Sequence, residues 1–230
     1  MPFDPSRVRA VLFDLDGTLA DTDDEYIRRA AALLRRLRFL FPNGDPTHLL
    51  RRSLMLSETP LTYLFGVPDW LGIDAPLARA GDWLADRRGP RTHAHFALLD
   101  GVEAMLAALG ERYPLAIVTA RGARMTNYFV RQFGFENRFG ALASAQTVDR
   151  TKPYPHPVRW AAEQLGVPVE QCVMIGDTTV DILAGKRAGA QTIGVLCGFG
   201  ERRELERAGA DLIVERTPAV ADLLKRRVSE

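Results

Sequence analysis

The sequence predicts an α/β fold: a parallel sheet flanked by helices, with an α-helical domain inserted after the first strand. Three observations carry this. Short apolar runs alternate with segments whose apolar residues recur at i, i+3, i+4 and i+7, the pattern of βαβ units. Glycines follow the helical segments, where a left-handed residue ends a helix. The alternation is broken once, after the first run, by a helix-rich stretch with no strand pattern.

In chain order, the predicted strands are residues 11–13, 115–118, 141–143, 172–175, 192–195 and 212–214. Between them, Val102, Met105, Leu106 and Leu109 lie on one helical face, as do Val158, Ala161, Ala162 and Leu165. Gly134, Gly166 and Gly189 mark helix ends, and Pro157 suits a first helical turn. The interruption carries YIRRAAALLRRL, TPLTYLF and PLARAGDWLADRR, separated by the turn signals PNGDP and GVPDWLGIDAP. The domain division expected is therefore 1–19 with 97–230 as the α/β core and 20–96 as a helical cap.

Composition excludes several classes. Of 230 residues, 47% are hydrophobic and 26% charged, as in an ordinary globular protein. A formal net charge of +1 gives no electrostatic reason to bind nucleic acid or an anionic membrane. No apolar run approaches the ~20 residues of a membrane span. The opening MPFDPSRVRAVLF lacks the charged-then-apolar plan of a signal peptide. The only cysteines, Cys172 and Cys197, lie in apolar stretches and read as buried small hydrophobes. A cytoplasmic protein, monomeric or homodimeric, is expected. Basic residues are 27 Arg and three Lys, at positions 152, 186 and 225.

The chemistry begins at VLFDLDGTLADT, where a strand runs into Asp14 and Asp16. Sites in parallel α/β sheets form at the carboxyl ends of strands. Two carboxylates there repel unless a cation or a shared proton relieves them. Mg²⁺ fits, because it takes few carboxylates and keeps room for water and phosphate oxygens. Gly17 permits a tight turn, and Thr18 can orient a carboxylate. Later strand ends and loops add Thr119 after LAIV, Lys152 in TKPYPHP, and Asp177 with Asp181 in GDTTVD. Together these are a carboxylate metal site, a hydroxyl and a cation converging on an anion.

With these residues in place, the chain resembles the haloacid dehalogenase superfamily, and within it the phosphatases that carry a helical cap after the first strand of a Rossmann-like core. DLDGT is similar to the first motif of that family, Thr119 to the second, Lys152-Pro153 to the third and GDTTVD to the fourth. The stretch GDTTVDILAGKRAGAQTIGVLCGFG resembles the phosphoglycolate phosphatase group. The resemblance implies a Mg²⁺-dependent phosphatase acting on a small phosphate ester. Asp14 is then the nucleophile that forms an aspartyl-phosphate, and Asp16 the general acid and base. Thr119 and the amide of Ala120 hold phosphoryl oxygens, and Lys152 neutralises the nucleophile and the transferring group. Asp14, the Asp16 carbonyl and Asp177 hold magnesium, with Asp181 an outer ligand or an anchor for Lys152. A compact ammonium suits a crowded point better than a planar guanidinium, which accounts for Lys152 in an Arg-rich chain.

Rival readings are a phosphosugar mutase on the same core and a non-catalytic phospho-ligand binding protein. A dehalogenase is disfavoured, because halide needs no acid such as Asp16. The second motif reads VTARG, so Ala120-Arg121 departs from the usual Thr-Asn or Thr-Ser continuation. His156 stands where the related pattern carries an aspartate helix cap, which histidine serves less well. His93 and His95 read as linker residues, and Lys186 and Arg187 as solvated helix charges. The paired arginines of the insertion read mainly as solvated faces, with Arg51 or Arg52 placed to meet a substrate carboxylate.

Overall fold

The structure, a computed structural model, describes residues 2–21 and 96–225. Six strands form one sheet: β1 (Ala10–Phe13), β4 (Leu115–Val118), β5 (Ala141–Ala143), β6 (Cys172–Gly176), β7 (Gln191–Val195) and β8 (Leu212–Val214). Their order is β5-β4-β1-β6-β7-β8, with every neighbouring pair parallel. Each strand matches a run read from the sequence to within a residue at either end. Every residue of β1, β4, β6 and β7 is buried. Strands covered on both faces read as continuous apolar runs rather than alternating ones, which is why short runs were the useful signal.

Helices α1 (Val102–Gly110), α2 (Ala123–Gln132), α3 (His156–Gln164), α4 (Thr179–Ala188), α5 (Arg202–Ala208) and α6 (Ala219–Lys225) connect or flank the strands. Side chains alternate across a strand, and the two faces have different cores. Val11 and Phe13 face a cluster with Leu106, Leu109, Phe129, Val220 and Leu224, from α1, α2 and α6. Ala10 and Leu12 face Val158, Ala161, Ala162 and Ala184, from α3 and α4. The second face is built from small residues, so its helices lie close to the sheet. At Gly185 a β-carbon would stand 2.6 Å from Thr192 Cγ2 and 2.9 Å from Met174 Cβ. Alanine there would push α4 off the strands.

The topology reverses at β1. The chain passes from β1 to β4 and β5 on one side, then crosses to β6, β7 and β8 on the other. Ligand sites of open parallel sheets lie at this reversal, beyond the carboxyl ends of the strands.

Three local expectations are corrected. Ala20–Asp21, at the start of the stretch expected to lack strands, is a strand (β2) pairing antiparallel with β3 (Ala97–Leu98). Runs of two residues carry no readable periodicity. His156 is the first residue of α3 rather than its cap; Pro155 holds the cap position and makes no side-chain cap bond. Cys197 is only part-buried, its thiol 3.4 Å from the Gly17 carbonyl and 3.2 Å from the Thr217 hydroxyl. Lys186 and Arg187 are exposed, as expected of solvated helix charges; at the surface Lys186 pairs with Asp211 at 2.7 Å, and Arg187 donates to the Pro153 carbonyl at 2.9 Å. Residues 22–95, with His93, His95, Arg51, Arg52 and the other arginine pairs, lie outside the described residues. Among those described, no helix is long and apolar enough to cross a membrane.

Candidate active site

Asp14 follows β1, Thr119 follows β4 and Asp177 follows β6, three neighbouring strands of the sheet. Parallel register carries their ends to one level: Phe13 pairs with Ile117 on one side and Ile175 on the other. The Asp14 amide donates to the Ile175 carbonyl at 2.8 Å, and the Thr119 amide to the Ala143 carbonyl at 2.9 Å. Asp14, Thr119, Lys152, Asp177 and Asp181 are all buried. Ala120 is exposed at the rim beside Thr119.

Lys152 joins the parts. It lies in the loop between β5 and α3, and its Nζ donates to Asp14 Oδ1 at 2.6 Å and to Asp181 Oδ1 at 2.5 Å. Asp181 occupies the third position of α4. Its Oδ2 accepts from the Thr178 amide at 3.1 Å and hydroxyl at 2.6 Å, so a reciprocal cap fixes it to its own helix end. Asp181 is thereby a strut between α4 and the ammonium. The expectation of an outer or anchoring carboxylate corresponds to this position.

Asp177 is set by what surrounds it. Thr18 Oγ1 donates to its Oδ1 at 3.4 Å, and the Phe199 amide to its Oδ2 at 2.7 Å. Gly17, at φ +69°, and Gly198 both face its carboxylate, and a β-carbon on either would overlap it. Gly200 approaches its backbone carbonyl as closely. Gly17 and Thr18 are legible beside Asp14 in the sequence, whereas Gly198, Phe199 and Gly200 are not. Their signal was the CGFG that follows β7.

Electrostatics point the same way. Asp14, Asp177 and Asp181 offer oxygens within 4.8 Å of one another, against one buried ammonium. Burial, and then the Asp181 charge, push the Asp14 carboxyl up to about 8, although Lys152 pulls the other way. Burial alone would lower Lys152, but Asp14 and Asp181 outweigh it and hold the ammonium above its usual range. The second oxygen of Asp14 has no hydrogen-bond partner among the described residues. An all-oxygen cluster with excess negative charge and an unpartnered buried oxygen suits a hard divalent cation such as Mg²⁺.

Asp16 stands apart from this cluster. Its carboxylate is part-exposed and grips Arg121 through both oxygens: Nε to Oδ2 at 2.5 Å and Nη2 to Oδ1 at 2.6 Å. The guanidinium of Arg121 lies over the Phe96 ring at 5.1 Å. Thr119 Oγ1 accepts from the Arg121 amide at 3.1 Å, so the hydroxyl turns the loop after β4 and does not cap α2, which starts at Ala123. The sequence marked Arg121 only as a departure. Nothing in spacing revealed that it would reach Asp16, 105 residues away in the chain.

The family described as haloacid dehalogenase-like hydrolase matches residues 11–195. The chain is 32% identical to the phosphoglycolate phosphatase of Xanthomonas campestris pv. campestris, across 91% of this chain and 93% of the relative. It is 29% identical to the N-acetylmuramic acid 6-phosphate phosphatase of Pseudomonas aeruginosa, across 97% and 98%. Among solved structures, a hydrolase from Pseudomonas syringae superposes with a TM-score of 0.64 at 25% identity, covering 96% of this chain and all of that one.

Proposed function

This chain belongs to the haloacid dehalogenase-like hydrolases, and from that premise we propose that it is a Mg²⁺-dependent phosphatase of small phosphate monoesters, working through an aspartyl-phosphate on Asp14. The single observation that carries this is the bridge of Lys152 between Asp14 and Asp181, with Asp177 alongside, at the reversal point of the sheet.

In this reading an Asp14 oxygen attacks phosphorus. The bond from phosphorus to the ester oxygen breaks, and its electron pair leaves with that oxygen, which takes a proton from Asp16. Asp16 then takes a proton from water, whose oxygen attacks phosphorus; the bond from phosphorus to the Asp14 oxygen breaks, its electron pair returns to the Asp14 carboxylate, and inorganic phosphate is released. Lys152 balances charge on Asp14 and on the phosphoryl group, and Thr119 with the Ala120 amide holds phosphoryl oxygens. Asp14, Asp177 and the Asp16 carbonyl would hold Mg²⁺, which supplies positive charge against the phosphoryl oxygens. Phosphoryl transfer depends chiefly on positioning and charge neutralisation, and these side chains provide both.

Residues 20–96 are read as a cap on the core of 1–19 and 97–230. The antiparallel pair β2–β3 supports this, because it brings the two ends of the inserted segment together. Two relatives act, by their names, on a phosphorylated acid: phosphoglycolate in one and N-acetylmuramic acid 6-phosphate in the other. Phosphoglycolate is the substrate we favour. The test is hydrolysis of a panel of small phosphate esters with Mg²⁺, joined to acid quenching of the enzyme during turnover. An acid-stable, hydroxylamine-labile phosphoryl group on wild type and not on Asp14→Asn is expected. Turnover without such an adduct would remove Asp14 as nucleophile.

A further inference from the structure

We propose that Arg121 is the residue that recognises an anionic group on the leaving side of the substrate, and that this chain therefore selects phosphate esters whose alcohol carries a carboxylate or a second phosphate. The inference rests on the phosphatase reading above and names the substrate class of that same site.

Position comes first. The proposed role of Asp16 is to protonate the departing oxygen, so whatever lies beside its carboxylate lies beside the leaving group. Arg121 is one such neighbour, with both of its bonds to Asp16 at 2.6 Å or less. A carboxylate attached two bonds from the ester oxygen would fall within reach of the same guanidinium.

Fixation comes second. The Arg121 guanidinium rests on the Phe96 ring. Phe96 is itself clamped, since its amide donates to Gln132 Oε1 at 3.2 Å and its carbonyl accepts from Gln132 Nε2 at 2.7 Å. The ring also meets Phe129 edge-on at 5.4 Å. At the other end, the Ala145 amide donates to the Arg121 carbonyl at 2.8 Å. A guanidinium held between a fixed ring and a carboxylate is pre-organised for planar, two-point recognition of another oxyanion.

Exchange comes third. With both oxygens of Asp16 bound in the fork, the acid is occupied by Arg121 where it stands. An anionic leaving group competes for the fork and frees Asp16 to face the departing oxygen. A neutral alcohol offers no such competitor, so Arg121 stays on Asp16 and turnover is slow. Arg121 then couples recognition of the leaving group to release of the acid.

The experiment compares kcat/KM for 2-phosphoglycolate and for 2-hydroxyethyl phosphate, a matched pair differing mainly in leaving-group charge, with p-nitrophenyl phosphate as reference. Wild type should prefer the carboxylate ester at least tenfold. In Arg121→Ala the preference should shrink to within about threefold, with the rise in KM confined to the anionic ester. Arg121→Lys, which keeps charge but loses the fork, should fall between. Arg121→Gln serves as a second uncharged variant should Arg121→Ala not fold. The same preference, read as Kd on an Asp14→Asn background, should disappear with Arg121. An unchanged ratio in an active Arg121→Ala enzyme, or no preference in wild type, overturns the assignment of Arg121. A folded wild type that hydrolyses none of the three esters overturns the phosphatase reading itself.

Discussion

Lys152 Nζ lies 2.5 Å from Asp181 and 2.6 Å from Asp14, so one ammonium ties the end of β1 to the first turn of α4. Removing either carboxylate leaves the other to hold a buried cation. Asp181→Asn should keep the α4 cap, since the amide oxygen can still accept from Thr178, while loosening Lys152. We expect kcat to fall by roughly 10–100-fold, the range for outer supporting groups. Lys152→Arg should not restore function, because the larger planar head has no room among three buried side chains. Steady-state kinetics on both variants check this, and an active Lys152→Arg enzyme would remove the geometric reason for lysine here.

Asp14→Asn preserves shape and removes the attacking charge. Turnover should drop by roughly 10³-fold or more, as for covalent nucleophiles generally, while substrate affinity persists. Retention of a tenth of wild-type kcat would contradict the assignment.

The acid role of Asp16 should show in leaving-group dependence. General acids contribute about 10²–10⁴-fold where the departing oxygen needs a proton. Asp16→Asn should therefore damage hydrolysis of an alkyl phosphate far more than that of p-nitrophenyl phosphate. Equal losses would count against the role.

Chelation should abolish activity, and Mg²⁺ should restore it. Asp177→Asn should raise the Mg²⁺ concentration for half-activation at least about tenfold. Gly198→Ala tests the same carboxylate without touching its charge. Its β-carbon would fall on the Asp177 carboxylate and 2.7 Å from the Gly17 carbonyl. A raised Mg²⁺ requirement is expected there too, and full activity in metal-free buffer would refute both.

Stability of the metal-free protein should depend on pH through Asp14. Burial raises its carboxyl from an ordinary 3.8 to about 8, so the folded chain binds a proton more tightly than the unfolded one. Folding takes up that proton at pH values between the two, and stability falls as pH rises through the window. Melting temperature should decline from pH 5 to pH 8, by roughly 2–4 °C per kcal/mol lost. Mg²⁺ should reverse the decline at pH 8, and Asp14→Asn should flatten it. A slope that survives Asp14→Asn would assign the effect to other groups.

Much of the core was legible because its strands are buried on both faces. Their apolar runs mark the strands, and the first polar residue after a run marks a strand end, as at Asp14, Thr119 and Asp177. Lys152 stands out because lysine is rare in this Arg-rich chain. What the sequence hid depends on contacts between residues distant in the chain. The Arg121–Asp16 pair spans 105 residues, and the Asp177 cradle draws on residues 17, 18, 198, 199 and 200. No local periodicity records such meetings. Two-residue strands such as β2 and β3 are too short to have a period.

That short ribbon has an evolutionary and engineering consequence. Ala20 lies opposite Leu98 and Asp21 opposite Ala97, so the chain leaves and re-enters the core at adjacent points. A flexible excursion from such a gate closes at an entropic cost that grows by only about 0.6 kcal/mol for each doubling of its length. If the segment between β2 and β3 is a cap, excursions of different length at this gate should be accommodated with little displacement of Asp14, Lys152 or Asp177. Grafting a foreign segment between Asp21 and Ala97 is then the economical way to retarget the proposed site.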